Sequence, residues 1–251
     1  MRYRITISLN MIIFLCGIFS YLSAAEKVAF VYEVYPPYEY YENGELTGRD
    51  YDIIKEICRR TGIEPEFRER PWKRAIQEVK DGTSDAIFSL VKTDERETFL
   101  YYPSEPLSYE SYIFLARKGS GIKINSLDDL KGKTVGVCCD YSYFDEFDNH
   151  KGFTREYTKD DSHQLLKLAG GRMDVVIINH QVYIFTVKGL GKGYADKFEK
   201  IDYKKAPDIP MYVAFSKALG KKTEVLNRQF SQEIRKMKND GSYLRILKKY
   251  K

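Results

Sequence analysis

Along the chain, short solid apolar runs alternate with stretches of helical spacing, and the alternation occurs twice. Lys27 to Glu33 predicts a buried strand, which Tyr35-Pro36-Pro37-Tyr38 breaks into a rigid aromatic loop. Asn43-Gly44 marks a turn. Ile53, Ile54, Ile57 and Cys58 share one helical face behind Asp50 as cap, and Thr61-Gly62 ends that helix before a strand from Glu64 to Phe67. Pro71 suits the first position of a second helix, with Ala75, Ile76 and Val79 inward and Gly82 as its stop. Asp85-Ala86-Ile87-Phe88 is the next strand. The order β-α-β-α-β calls for an α/β fold with a parallel or mixed sheet flanked by helices.

After Tyr101-Tyr102-Pro103, a strand-like run from Tyr109 to Leu115 opens what reads as a second unit. Ser126 caps a short helix over Leu127 to Leu130, and Thr134 to Cys138 is a strand leading into Asp140-Tyr141-Ser142-Tyr143. Asp161-Ser162 starts a helix carrying Leu165, Leu166 and Leu168. Gly170-Gly171 stops it, and Met173 to Ile178 is another buried strand, ending at Asn179. A last strand from Met211 to Phe215 precedes a helix over Lys222 to Lys238, the turn Asn239-Asp240-Gly241 and a short basic helix.

The amino terminus departs from this pattern. Arg2 and Arg4 precede an apolar run from Ile5 to Leu22, and Ser23-Ala24-Ala25 follows. That is the pattern of a secretory signal cut before Glu26. An uncleaved membrane anchor is the alternative, but Ser8, Asn10, Ser20 and Tyr21 interrupt the run, and Leu15 before Cys16 is bulky for a lipoprotein signal. Cleavage removes two of the 41 basic residues and none of the 36 acidic ones, leaving a charge near +3. Basic and acidic residues are interleaved, so neither a nucleic-acid stripe nor a polybasic membrane patch stands out. Three cysteines then remain, Cys58, Cys138 and Cys139, an odd number that leaves at least one free thiol. No histidine lies at metal-ligand spacing from them, so neither a metal nor a cofactor is expected.

The candidate chemistry starts at Arg96. Thr93 stands as a helix N-cap with Asp94 and Glu95 in the first turn, where carboxylates suit the helix dipole and an arginine does not. If the preceding strand opens on a crevice, Arg96 can offer forked donors to a ligand carboxylate. The alternative is an exposed arginine paired with Glu95 or Glu97.

The chain also resembles the periplasmic solute-binding proteins of family 3, whose better-known members bind polar amino acids for ABC importers. The marks are Tyr35-Pro36-Pro37-Tyr38, Gly44 to Gly48 followed by Asp50-Tyr51-Asp52, Gly82 with Asp85-Ala86, Thr93 to Arg96, Asp129 to Val137, Gly171 to Asp174, and Asp240 to Tyr243. Each is weak alone; their order and spacing over the mature chain are specific. The resemblance implies a two-lobed type 2 periplasmic binding protein fold, each lobe a mixed sheet flanked by helices, joined by two crossover strands. Residues 1–25 would be the signal, 26–109 plus 212–251 one lobe and 110–211 the other. It implies a periplasmic monomer that holds its ligand in the interlobe cleft and works with the membrane subunits of an ABC importer, with no nucleic-acid partner. By the same resemblance Arg96 clamps the ligand carboxylate, Tyr35 or Tyr38 packs on the ligand, and Trp72 is a second aromatic wall. Trp72 as a plain core or stapling residue at the helix start is the alternative.

The departures bear on the ligand. Between the strand and Thr93 the chain is one residue shorter than amino-acid binders, and Ser89 supplies the hydroxyl there. The glycine-threonine loop of relatives is replaced by Cys139-Asp140-Tyr141-Ser142. Their ammonium-binding aspartate appears as Asn179. A neutral amide loses the charge-assisted part of that bond. Asp140 restores the charge if it faces the cleft, or else only caps the following helix. The competing function is an enzyme on the same fold, similar to cyclohexadienyl dehydratases, with Glu33, Asp140 and His180 as candidate acids or bases.

Overall fold

A computed structural model describes residues 26–201, 203–204 and 206–250, so the segment read as a signal lies outside the described residues. The first unit runs β1 (Lys27–Tyr32), a hairpin β2 (Tyr40–Glu42) and β3 (Glu45–Thr47), α1 (Arg49–Thr61), β4 (Glu64–Glu69), α2 (Trp72–Lys80), β5 (Ala86–Val91), a single turn α3 (Asp94–Glu97) and β6 (Leu100–Tyr101). Next come β7 (Ser108–Glu110), β8 (Tyr112–Arg117), β9 (Thr134–Cys138), α4 (Asp145–Asn149), β10 (Thr154–Thr158), α5 (Asp161–Ala169), β11 (Val175–Asn179), α6 (His180–Gly189) and β12 (Phe198–Ile201). The chain ends with β13 (Ile209–Ser216), α7 (Lys221–Asn239) and α8 (Ser242–Leu247).

Two mixed sheets carry the two lobes. The first has the order β4-β1-β5-β13-β6, with β7 also paired to β13; the second has β10-β9-β11-β8-β12. β1 runs parallel to β4 and β5, and β9 parallel to β10 and β11, while β13 and β8 are antiparallel to their neighbours. In both sheets a central parallel strand therefore has chain-order neighbours on each side, which places a crevice at its carboxyl end. Glu110 of β7 pairs with Ile209 of β13 and belongs to the first sheet, whereas Tyr112 two residues on starts β8 in the second.

Strand alternation sorts the core. Phe30, Phe88, Val213 and Phe215 face Ile53, Ile54 and Ile57 of α1 and Leu226, Phe230 and Ile234 of α7, while Val31, Ile87, Leu90 and Ala214 face Ala75 and Val79 of α2. In the second lobe Phe114, Val137 and Ile177 meet Phe147 of α4, and Leu115, Val176 and Ile178 meet Leu165 and Leu168 of α5. These burials agree with the apolar pattern. Some boundaries differ from it. Gly48 rather than Asp50 precedes α1, and Pro71 precedes α2 as its cap, the first free amide, Trp72 N, being taken by Glu33 Oε1 at 3.0 Å. Asn43-Gly44 is the tip of a hairpin, both residues having positive φ (52° and 83°).

Candidate functional site

The residues that sequence reasoning singled out come from the carboxyl ends of strands in both sheets. From the first sheet come Glu33 and Tyr35 after β1, Trp72 after β4, and Ser89 to Arg96 at the end of β5; from the second come Asp140 to Ser142 after β9 and Asn179 closing β11. Tyr35, Trp72, Ser89, Arg96, Tyr141 and Ser142 line one cavity between the lobes, together with Glu33, Glu39, Glu110 and Tyr112. The cavity measures about 30 Å³, room for a water or two rather than a solute, so the lobes are in a closed arrangement.

Arg96 is the cation of the site. The Thr93 side chain accepts from its backbone amide at 3.2 Å, which sets the one-turn α3 and aims the side chain back beneath β5. Its guanidinium donates to Val91 O at 2.8 Å and to Asp140 O at 3.0 Å and lies 5.5 Å from the Trp72 ring centre. It is only 7% exposed, and burial works against its charge. No carboxylate forms an ion pair with it among the described residues, so it does not join Glu95 or Glu97.

The second lobe meets it through the 139–142 loop. Asp140, at φ 61°, exposes its side chain and turns its carbonyl inward, where both Arg96 and Trp72 Nε1 (3.0 Å) donate to it. The loop's contribution to the cleft is thus a backbone oxygen rather than the Asp140 carboxylate. The Tyr141 hydroxyl donates to Glu33 Oε2 at 3.2 Å, and its ring meets Trp72 and Tyr35 edge-on. Ser142 offers its carbonyl, 3.5 Å from the Tyr112 hydroxyl.

Behind the cavity lies a buried polar layer that the sequence reading did not foresee. Glu110 is 3% exposed and accepts from Tyr35 OH (3.1 Å), Asn179 Nδ2 (2.8 Å) and Tyr112 OH. Burial pushes its carboxyl up to about 7 in spite of those donors. Asn179 also donates to Tyr38 OH at 2.7 Å, while its Oδ1 accepts from Gln181 N (2.8 Å) and Val182 N (3.3 Å), capping α6. Tyr38 is fully buried, stacked on Tyr35 at 5.1 Å and beneath the Arg49 guanidinium at 4.0 Å, and does not line the cavity. His180 starts α6, its amide held by Ser111 O, and lies off the cavity.

A third group couples Ser89 to two buried carboxyls. Its Oγ lies 2.6 Å from Glu39 Oε2 and 3.1 Å from Asp50 Oδ2, and Asp50 also accepts from Ser108 Oγ at 2.7 Å. The Ser89 hydroxyl thus stands between two buried carboxyls, one of which, Asp50, also has the Arg49 guanidinium beside it at 3.4 Å. Burial first, and the neighbouring Asp50 after it, hold Glu39 well above the carboxylate range, and burial raises Asp50 as well, against Arg49 and its hydroxyl donors. Ser89 sits at φ 57°, a strained backbone for a serine and one that turns its hydroxyl toward this pair. Cys58 and Cys138 are buried, Cys139 is exposed, and no group of three metal-ligating side chains exists among the described residues.

Comparison with known proteins adds to this geometry. The family model described as "Bacterial extracellular solute-binding proteins, family 3" matches residues 28–251. The arginine-binding extracellular protein ArtP of Bacillus subtilis (strain 168) is 26% identical over 220 residues, covering 86% of this chain and 82% of that protein. The histidine-binding periplasmic protein of Escherichia coli (strain K12) is 27% identical over 223 residues, covering 86% and 84%. Among solved structures, an ancestral arginine-binding protein bound to arginine superposes with a TM-score of 0.75 at 25% identity, covering 89% of this chain and 97% of its own.

Proposed function

The chain belongs to the bacterial extracellular solute-binding proteins, family 3, and from that premise we propose that it captures a small carboxylate-bearing solute of the amino-acid class between its lobes and delivers it to the membrane subunits of an ABC importer. One observation carries the reading: Arg96, buried and lacking an anionic partner among the described residues, lines a cavity at the carboxyl ends of both sheets. A buried guanidinium in that state is costly unless a ligand supplies the anion, and a carboxylate matches its fork. Tyr35, Trp72 and Tyr141 provide the apolar walls. Residues 1–25, read as a secretory signal, and relatives named as extracellular or periplasmic support a site of action outside the cytoplasm. No helix among the described residues is long and apolar enough to cross a membrane.

Binding is favoured over turnover by where the three candidate acids and bases lie. Glu33 is held in place by Trp72 N and Tyr141 OH, one on each oxygen, the Asp140 side chain is exposed, and His180 lies off the cavity. The test is a thermal-shift screen of the mature protein against L-amino acids and short carboxylic acids, followed by calorimetry of the hits. Saturable stabilisation by at least one compound is expected, since a ligand of the folded state raises its melting point by mass action. A screen with no hit overturns the reading.

A further inference from the structure

We propose that Glu110, rather than Asn179 or Asp140, receives the ammonium end of a zwitterionic ligand whose carboxylate lies on Arg96. The assignment rests on the solute-capture reading above and adds the residue that decides which carboxylates are accepted. The Arg96 guanidinium and the Glu110 carboxyl line the same cavity, each buried, and neither forms an ion pair among the described residues. Buried charges in that condition are stabilised by a partner of opposite sign, and one molecule bearing a carboxylate and an ammonium supplies both.

Asn179 and Asp140 are excluded by their own hydrogen bonds, and of the other carboxyls on the cavity Glu33 is only half-buried while Glu39 is coupled through Ser89 to Asp50. The orientation of the Asn179 amide is fixed because its oxygen faces two backbone amides, those of Gln181 and Val182, and only an acceptor fits there. Its nitrogen is spent on Tyr38 OH and Glu110 Oε2. Asn179 therefore has no acceptor to offer an ammonium; it aims the carboxylate that does. Asp140 presents its carbonyl to the cleft and its side chain to solvent. Glu110 has acceptor capacity left: a carboxylate has about four lone-pair positions, and its three donors, Tyr35, Tyr112 and Asn179, are all neutral. The cation that acts on it is Arg49, which is already engaged with Asp50 at 3.4 Å and stacked on Tyr38.

A purely structural Glu110 would be replaced by glutamine with little consequence, and this separates the two roles. The experiment is calorimetry of wild type, Glu110→Gln and Arg96→Ala with three matched pairs: L-arginine and guanidinovalerate, L-histidine and imidazolepropionate, L-cystine and dithiodipropionate. Each second member lacks only the amino groups next to the carboxylates. Wild type is expected to prefer the amino acid of a bound pair by about tenfold or more. Glu110→Gln should lose about tenfold to a hundredfold for that amino acid and less than about threefold for its des-amino partner, whose binding also certifies that the variant is folded. A preference left intact in Glu110→Gln, or no preference in wild type, overturns the assignment while leaving Arg96 as a carboxylate site. Failure of wild type to bind any of the six, with a hit elsewhere in the wider screen, overturns the assignment for these ligands and leaves solute capture standing; only a wider screen with no hit overturns both. Asn179→Asp gives an independent reading: a second carboxylate beside Glu110 should weaken the amino acid, because the two would share a proton. Strengthening there would return the ammonium to position 179 and overturn the proposal.

Discussion

At the scale of single residues the site turns on two buried ionisable groups, Arg96 and Glu110, whose hydrogen-bond partners are all neutral. Replacing Arg96 by alanine should cost roughly 2 to 5 kcal/mol of ligand affinity, read by calorimetry, with the far-UV spectrum unchanged. Arg96→Lys should recover only part of it, since a lysine cannot form the fork; full affinity in Arg96→Ala would remove the residue from the site. Glu110 gives a second prediction, in pH. Its carboxyl is raised by burial from 4.5 to about 7, so between those values the folded chain holds a proton that the unfolded chain releases. The stability this confers is complete below the unfolded value and lost as pH rises through about 7. Tyr35 and Tyr112 touch it, Tyr38, Arg49 and the similarly raised Asp161 act on it through their charges, and Glu39 and Asp50 shift the same way, so the wild type should lose stability from about pH 5 to about pH 8 in the absence of ligand. Glu110→Gln should lose less over that range, as read from urea midpoints at each pH; parallel curves would count against an ionising Glu110. Arg96 was legible in the sequence because an arginine in the first turn of a helix breaks a local rule. Glu110 was not, since a glutamate between Tyr109 and Ser111 looks like any polar residue near a strand end until the fold buries it. Asn179 stood out as a substituted aspartate, but how its amide is spent is visible only once α6 begins directly on it.

At the scale of elements, the legible parts were those with an apolar face. β1, β5, β9, β11 and β13, buried nearly throughout, and the amphipathic α1, α2 and α7 follow from spacing alone. β10, read Thr-Arg-Glu-Tyr-Thr, and β12 lie on the edges of the second sheet and carry too few apolar residues to announce a strand. Gly48 shows how a loop is fixed to an element. It sits at φ 131° ahead of α1, where a Cβ would lie 2.2 Å from Tyr38 O, and that carbonyl accepts from Asp50 N at 3.0 Å and Tyr51 N at 3.3 Å. The first turn of α1 and the aromatic loop therefore share one carbonyl, and only glycine permits the approach. Gly48→Ala should destabilise the protein by more than about 1 kcal/mol in urea unfolding. It should weaken ligand binding as well, because Tyr38 orients Asn179 and through it Glu110. A stable variant with unchanged affinity would show that the loop is held by other contacts.

At the scale of the whole molecule, the two lobes touch across the cleft through polar contacts that a rigid-body opening would break together. Trp72 Nε1 and Arg96 Nη2 reach the Asp140 carbonyl, Tyr141 reaches Glu33, and Asn179 reaches Tyr38, while continuous chain crosses between the sheets at Ser111 and ahead of β13. A cavity with room for a water or two admits no amino acid, so a solute is expected to enter an opened form, the lobes hinging about those two crossings. The single tryptophan of the chain is placed to report it. In the closed form Trp72 is half-buried, its ring lies near Arg96 and edge-on to Tyr141, and its indole N–H is bonded across the cleft. Opening removes the Tyr141 ring and the Asp140 carbonyl and leaves the indole to water, so its emission should shift to the red. Titration with a ligand confirmed by calorimetry should move the emission in one saturable step with the calorimetric affinity, and small-angle scattering over the same titration should show the radius of gyration falling. Trp72→Phe should abolish the optical signal and keep the scattering change, because the hinge does not depend on the indole. Unchanged emission and an unchanged radius at saturating ligand would mean that the lobes do not move, and the route into the cavity would then have to lie through local displacement of the 139–142 loop.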